Sequence, residues 1–282
     1  MTNMQSFSDT PDSLLRQITR MLHTHSTMLM RIIVEPDGNE EGVHIGSGTL
    51  VKIGEVYGVL TAQHVVAELK GDYLLGLTAA REGETHSFKA QKSSIGVIEI
   101  ASPVSEEYGP DLGFIVLSDW DDVSTIKASR LFYDLSHDSD EWSADPPPLD
   151  SGIWFACGAH GERFERIFPE AGFDKVVSFQ DFCGAGGINR SYKKEGFDYL
   201  EMDIEFSEER GMPHSFGGMS GGGLWQVTIS RSPEGILAPS RFFFSGLIFY
   251  QGVTGDGVRF LRCHGRQSVY EYAVEAVSEK SA

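Results

Sequence analysis

The chain has 282 residues, with 23 lysines and arginines against 41 aspartates and glutamates. The resulting formal charge of −18 excludes a surface built to wrap nucleic acid or an anionic membrane, which repel a protein of the same sign. Apolar residues make up 40% and charged ones 23%, the balance of a packed chain of one large or two modest domains rather than a disordered one.

Residues 1–9 are polar, and Thr10-Pro11-Asp12-Ser13 then reads as a helix start with proline in the first turn. Leu14, Leu15, Ile18, Met21 and Leu22 recur at helical spacing and predict an amphipathic helix over 11–24, within an N-terminal extension of residues 1–27. From Met28 the pattern turns to strands, at 28–34, 43–53, 56–62, 72–78, 95–101 and 112–117, with a short helical stretch after His64. Residues 134–150 are acidic and hold Pro146, Pro147 and Pro148, which predicts a solvated linker between two units, 28–133 and 151–282. Strands resume at 152–157, 175–180, 198–206, 222–229, 241–250 and 257–262. A last segment, 268–278, places Val269, Tyr272, Ala273, Ala276 and Val277 on one helical face. The fold class expected is all-β, with a helix at each end, and closed barrels are the usual way for such halves to avoid exposed edges.

Three cysteines (Cys157, Cys183 and Cys263) form no CxxC pair, so neither a disulfide framework nor a sulfur-based zinc site is expected. Cys157 and Cys263 fall in strand-like runs and are read as buried and inert. The first 30 residues show no basic-then-apolar leader, and no apolar run reaches the ~18 residues of a membrane helix. The expectation is a cytoplasmic protein of a reducing compartment, with no membrane or nucleic-acid partner.

Three stretches carry chemistry. Thr61-Ala62-Gln63-His64 places a histidine just after an apolar strand, Pro110-Asp111-Leu112-Gly113 an aspartate at the mouth of another, and Gly217-Gly218-Met219-Ser220-Gly221-Gly222 a serine inside a glycine run. A serine hydroxyl is a weak nucleophile that needs a histidine base, and the histidine needs a carboxylate to hold its tautomer. Glycines around the serine let backbone N–H groups turn toward a developing oxyanion. Taken singly, each stretch has a plain structural reading: a core histidine, an aspartate turn, a flexible glycine loop.

In the order His64, Asp111, Ser220, these motifs resemble the trypsin-like (chymotrypsin-fold) serine peptidases over most of residues 28–278. The spacings, 111 − 64 = 47 and 220 − 111 = 109, suit one barrel supplying His and Asp and the second supplying Ser. Gly46-Ser47-Gly48-Thr49-Leu50-Val51 is similar to the family's strand before the histidine, and Ser151 to Gly158 resembles the first strand of the second barrel in bacterial members. The resemblance implies two six-stranded antiparallel barrels and a serine endopeptidase working through an acyl-enzyme without metal or organic cofactor. It assigns His64 as base then acid, Asp111 as its orienting partner, Ser220 as nucleophile, and the N–H groups of Gly218 and Ser220 as oxyanion hole. Substrate-binding residues implied are His214, Ser215, Phe249, Tyr250 and Gln251.

The chain departs from the family in three places. Met219 stands where animal members have an activation aspartate, and Val65 where secreted ones have a cysteine. Phe249 replaces a serine that commonly supports the triad aspartate. The alternative function is a catalytically inactive chymotrypsin-fold module that binds peptides. For the enzyme, a protein or peptide substrate is expected, with a restricted substrate or an activating partner that orders the loop at 211–219.

Overall fold

The computed structural model describes residues 10–34, 36–38, 40–69, 71, 73–81, 84–105, 107–117, 123–137, 145–161, 165–167, 176–178, 181–204, 215–255 and 257–281. Helix α1 (Asp12–His23) begins after Pro11, whose carbonyl accepts from the Leu14 and Leu15 amides. Its 3.6-residue repeat turns Leu14, Ile18 and Leu22 to one buried face.

The first sheet holds β1 (Ser26–Val34), β2 (Glu40–Ile53), β3 (Val56–Thr61), β4 (Leu74–Arg81), β5 (Glu84–Gln91), β6 (Gly96–Ala101), β7 (Leu112–Val116) and the two-residue β8 (Tyr133–Asp134). Its order is β5-β4-β1-β2-β3-β7-β6, all antiparallel, with β8 parallel beside β2. The one-turn helix α2 (Gln63–Ala67) follows β3, and α3 (Val123–Ser129) follows β7. The second half holds β9 (Ile153–Ala159), a separate ribbon of β10 (Glu165–Ile167) and β11 (Val176–Ser178), then β12 (Asp181–Gly186), β13 (Ile188–Lys194), β14 (Phe197–Ile204), β15 (Gly223–Arg231), β16 (Leu237–Val253) and β17 (Arg259–His264). Its antiparallel sheet runs β12-β9-β15-β16-β17-β14-β13. The chain closes with a π-helical stretch, Ser268–Ala273, and α4 (Val274–Ser281).

The architecture is all-β and matches a chymotrypsin-like double barrel, as expected, but the sheets have eight and seven strands rather than six and are not closed. Strands β5, β12 and β13 escape the sequence reading for a physical reason. They form sheet edges, where segments such as Asn189-Arg190-Ser191 and Lys193-Lys194 need no apolar alternation.

One core joins the halves. Leu14, Ile18 and Leu22 of α1 pack with Val51, Leu60 and Phe114 of the first sheet, Phe155, Trp225 and Phe243 of the second, and Val269 and Val277 of the C-terminal segment. That segment is capped from a distance: the Asp198 carboxylate accepts from the amides of Gln267 (3.0 Å) and Ser268 (2.7 Å). No helix among the described residues is long and apolar enough to cross a membrane.

The segment before β9 is not the free linker its composition predicts, at least over residues 145–150; residues 138–144 lie outside the described residues. Arg266, 8% exposed, donates to the Pro147 carbonyl (2.8 Å), to Ser245 Oγ (3.2 Å) and to Gln226 Oε1. Gln226 in turn donates to the carbonyls of Pro148 (2.7 Å) and Ser151 (2.6 Å). Proline supplies an acceptor carbonyl without a competing N–H, so the guanidinium straps this segment to the second sheet. Burial lowers the Arg266 pKa to about 10, which still leaves it charged at neutral pH. Arg266→Ala strands these acceptors in a dry site and is expected to cost about 3 kcal/mol. The urea midpoint should drop with an unchanged m-value; an unchanged midpoint would refute the strap.

Candidate active site

Ala62, extended at φ −72° and ψ 148°, turns the chain from β3 into α2. The Thr61↔Gly113 pairing of β3 with β7 then sets His64 beside Asp111. The Asp111 carboxylate, 1% exposed, accepts the His64 backbone N–H at Oδ1 (2.9 Å) and faces the His64 ring Nδ1 at Oδ2 (2.5 Å). The carboxylate accepts at Nδ1, so the ring proton sits there and Nε2 is left as the basic nitrogen. The His64 side chain is 41% exposed, open on the side away from Asp111.

Ser220 lies on a loop whose carbonyls are all pulled inward. The Gly217 carbonyl accepts from Gly161 N–H (2.9 Å), that of Gly218 from Ser47 Oγ (2.7 Å), that of Met219 from Gly222 N–H (2.8 Å), and that of Ser220 from Ser47 N–H (2.8 Å). In a trans peptide the C=O and the next N–H point in opposite directions. Anchoring the Gly217 and Met219 carbonyls therefore turns the N–H groups of Gly218 and Ser220 outward, and no partner takes either one among the described residues. The backbone requires glycine at two points. Gly218 (φ +91°) would place a Cβ 2.3 Å from the His44 ring, and Gly221 (φ +89°) would place one 2.0 Å from the Ser47 carbonyl oxygen.

Met219, fully buried, packs with Trp154, Phe216 and Leu224. Apolar contact thus holds the loop at Met219, the position where the resemblance implied an aspartate. Residues 211–214, with His214, lie outside the described residues.

A cavity of about 380 Å³ is lined by both His64 and Ser220, together with Ser215, Phe249, Tyr250 and Gln251. Gln251 Oε1 accepts the Phe216 N–H (2.8 Å), tying β16 to the loop. Behind Tyr250, Arg262 stands 5.4 Å from its ring and pairs with buried Glu201 at 2.9 Å. A larger and more open depression of about 690 Å³ on the outer face of α1, bounded by Asp12, Arg16 and Arg20, contains no histidine.

Sequence reasoning missed several groups here. Glu68, Ile248 and Leu261 also line the cavity. Ser47 reaches the loop from the first sheet, and His160, 1% exposed, hydrogen-bonds the Ser215 carbonyl through Nε2. A histidine following the apolar strand Ile153–Ala159 was the available signal, but its partner lies 55 residues away. Cys157 faces Cys183 across β9 and β12, the sulfurs 2.6 Å apart, a contact that register alone creates. Burial pushes the Cys263 thiol up, in keeping with an inert side chain.

Burial also lowers the pKa of His25 and of His264 from 6.5 to about 4. Both are neutral in the folded protein, so on acidification the unfolded chain binds protons first. Their stabilisation is complete above pH ~6.5 and is lost as pH falls toward ~4, at about 3 kcal/mol each. Urea midpoints should decline steadily across that window; a flat profile would contradict the neutral, buried assignment.

No family model matches the chain, and no curated protein does. Similar solved structures include proteases. The tobacco vein mottling virus protease is 12% identical, with 89% of this chain and 82% of that chain covered and a TM-score of 0.41. The Drosophila Grass clip serine protease of the Toll pathway is 12% identical, covering 93% and 71%, at 0.47. The HtrA-type protease AlgW with a decapeptide is 12% identical, covering 93% and 67%, at 0.40.

Proposed function

We propose that the chain is a serine endopeptidase acting through Ser220, His64 and Asp111. One observation carries the reading: a histidine oriented by a buried aspartate shares a cavity with a serine flanked by two outward, unpartnered N–H groups. His64 Nε2 takes the Ser220 proton as Oγ bonds to the scissile carbonyl carbon, and the carbonyl oxygen, now negative, is stabilised by the Gly218 and Ser220 N–H groups. As the intermediate collapses, His64 gives that proton to the leaving amine, and the acyl-enzyme remains. Water repeats the sequence and releases the acid. Asp111 stays ionised throughout and stabilises the imidazolium.

Substrate binding belongs to the same proposal. Pairing of β15 with β16 stops at Gly223↔Leu247, whereas β17 continues along the other side to Val253. The edge at Phe249, Tyr250 and Gln251 is thus open beside the cavity for an extended peptide to add as a strand. Cytoplasmic residence is part of the reading, supported by an odd number of cysteines with no CxxC pair. Incubation with a mixed peptide library, products read by mass spectrometry, tests it: wild type should cleave and Ser220→Ala should not. Peptides retained but uncut would favour the binding-module alternative.

A further inference from the structure

The Asp111 backbone N–H does not enter a sheet ladder. It donates to Nε2 of His264, 3.0 Å away, from the last residue of β17. His264 is fully buried, and the rings of Phe249 (4.9 Å between centroids), Tyr199 (5.3 Å) and Phe197 (5.8 Å) surround it. A backbone N–H can only donate, so Nε2 must be the bare nitrogen and the ring proton must sit on Nδ1. There it has no partner among the described residues. A phenylalanine or leucine would fill the same aromatic cage without leaving a buried donor unpaired, a steady cost to the fold. The feature that offsets this cost is the acceptor at Nε2.

We infer that His264 is a positioning residue: by accepting the Asp111 N–H it fixes the aspartate, and through it His64, relative to the sheet that carries Ser220. This rests on the peptidase reading above. The geometry is specific to the role. Asp111 immediately precedes β7 of the first sheet and His264 ends β17 of the second, so the bond crosses between the halves that supply base and nucleophile. Phe249, with no hydrogen-bonding group, stands where many members of the family it resembles have a serine donor to the carboxylate. His264 instead supports the aspartate from its main chain. The charged and titratable groups facing His264 are Asp111 and Asp198, which favour its protonation, and Tyr199, held neutral by burial with a pKa near 12. Desolvation outweighs the two carboxylates and keeps the imidazole neutral at working pH. Were it protonated, Nε2–H would confront the Asp111 N–H and the support would be lost.

The test combines variants with a direct view of the ring. His264→Phe keeps the cage and removes the acceptor; His264→Gln returns an acceptor. The Phe variant should lower kcat about tenfold with KM unchanged and should depress the His64 titration, because a loosened Asp111 stabilises the imidazolium less. Gln should restore most of both. In wild type, long-range ¹H–¹⁵N spectra should show Nδ1 protonated and Nε2 bare on His264, a reading that holds even if the Phe variant fails to fold. A proton on Nε2, or a Phe variant with wild-type kcat and His64 titration, would overturn the inference. If wild type cleaves nothing, the peptidase reading fails by itself, and the tautomer and His64 titration still decide the role of His264.

Discussion

Replacing Ser220 with alanine is expected to lower kcat about 10⁶-fold while leaving the fold and peptide affinity in place. The loss is large because Ser220 Oγ is the hydroxyl beside the outward Gly218 and Ser220 N–H groups, whereas Ser215, the other serine of the cavity, has its Oγ accepting from the Gly217 N–H at 3.1 Å. The fold should survive because Ser220 is tied in by its carbonyl, held by the Ser47 N–H at 2.8 Å. The Gly218 and Ser220 N–H groups remain in place, so a residual rate of roughly 10³ over water is expected from the oxyanion hole and binding alone. Steady-state kinetics on the best library peptide measures the change, with circular dichroism as the control for folding. A variant that keeps more than about a hundredth of the wild-type rate would place the nucleophile elsewhere.

Asp111→Asn should reduce kcat about 10⁴-fold for a different reason. The carboxylate now receives two donors from one residue, the His64 backbone N–H at 2.9 Å and the ring at 2.5 Å. An asparagine offers one acceptor and one donor, so one of these contacts becomes a clash of two donors. If the amide oxygen stays with the backbone N–H, the amide NH₂ faces Nδ1, and the ring proton moves to Nε2. That tautomer cannot accept from Ser220. KM should change little, since Asp111 is buried away from the cavity surface. A variant with wild-type kcat would show that His64 needs no carboxylate to hold its tautomer.

The elements that position the site were legible in the chain where local pattern decides them. Helix α1 shows its apolar repeat, β3 and β7 are short apolar runs, and the glycine run around Ser220 announces a backbone that no side chain would tolerate. The open edges were not, because β5, β12 and β13 owe their strand form to partners rather than to alternation. The same limit applies to the support around the site. His264 and Asp111 are separated by 153 residues, Ser47 and Gly218 by 171, and Arg266 and Pro147 by 119. Nothing in a local window links such pairs. A signal did exist in Phe260-Leu261-Arg262-Cys263-His264, where a polar ring ends an otherwise largely apolar strand, and in Arg266 just beyond it. Buried polar groups of this kind find partners, but the sequence does not say which.

The central claim is that Ser220 is an activated nucleophile. Its most direct test is labelling of the purified protein with a fluorophosphonate, read by intact mass and peptide mapping. The account predicts a single adduct on Ser220 in wild type, and none on that residue in His64→Ala or Ser220→Ala. An unlabelled wild-type protein, or an adduct that forms as fast without His64, would contradict it.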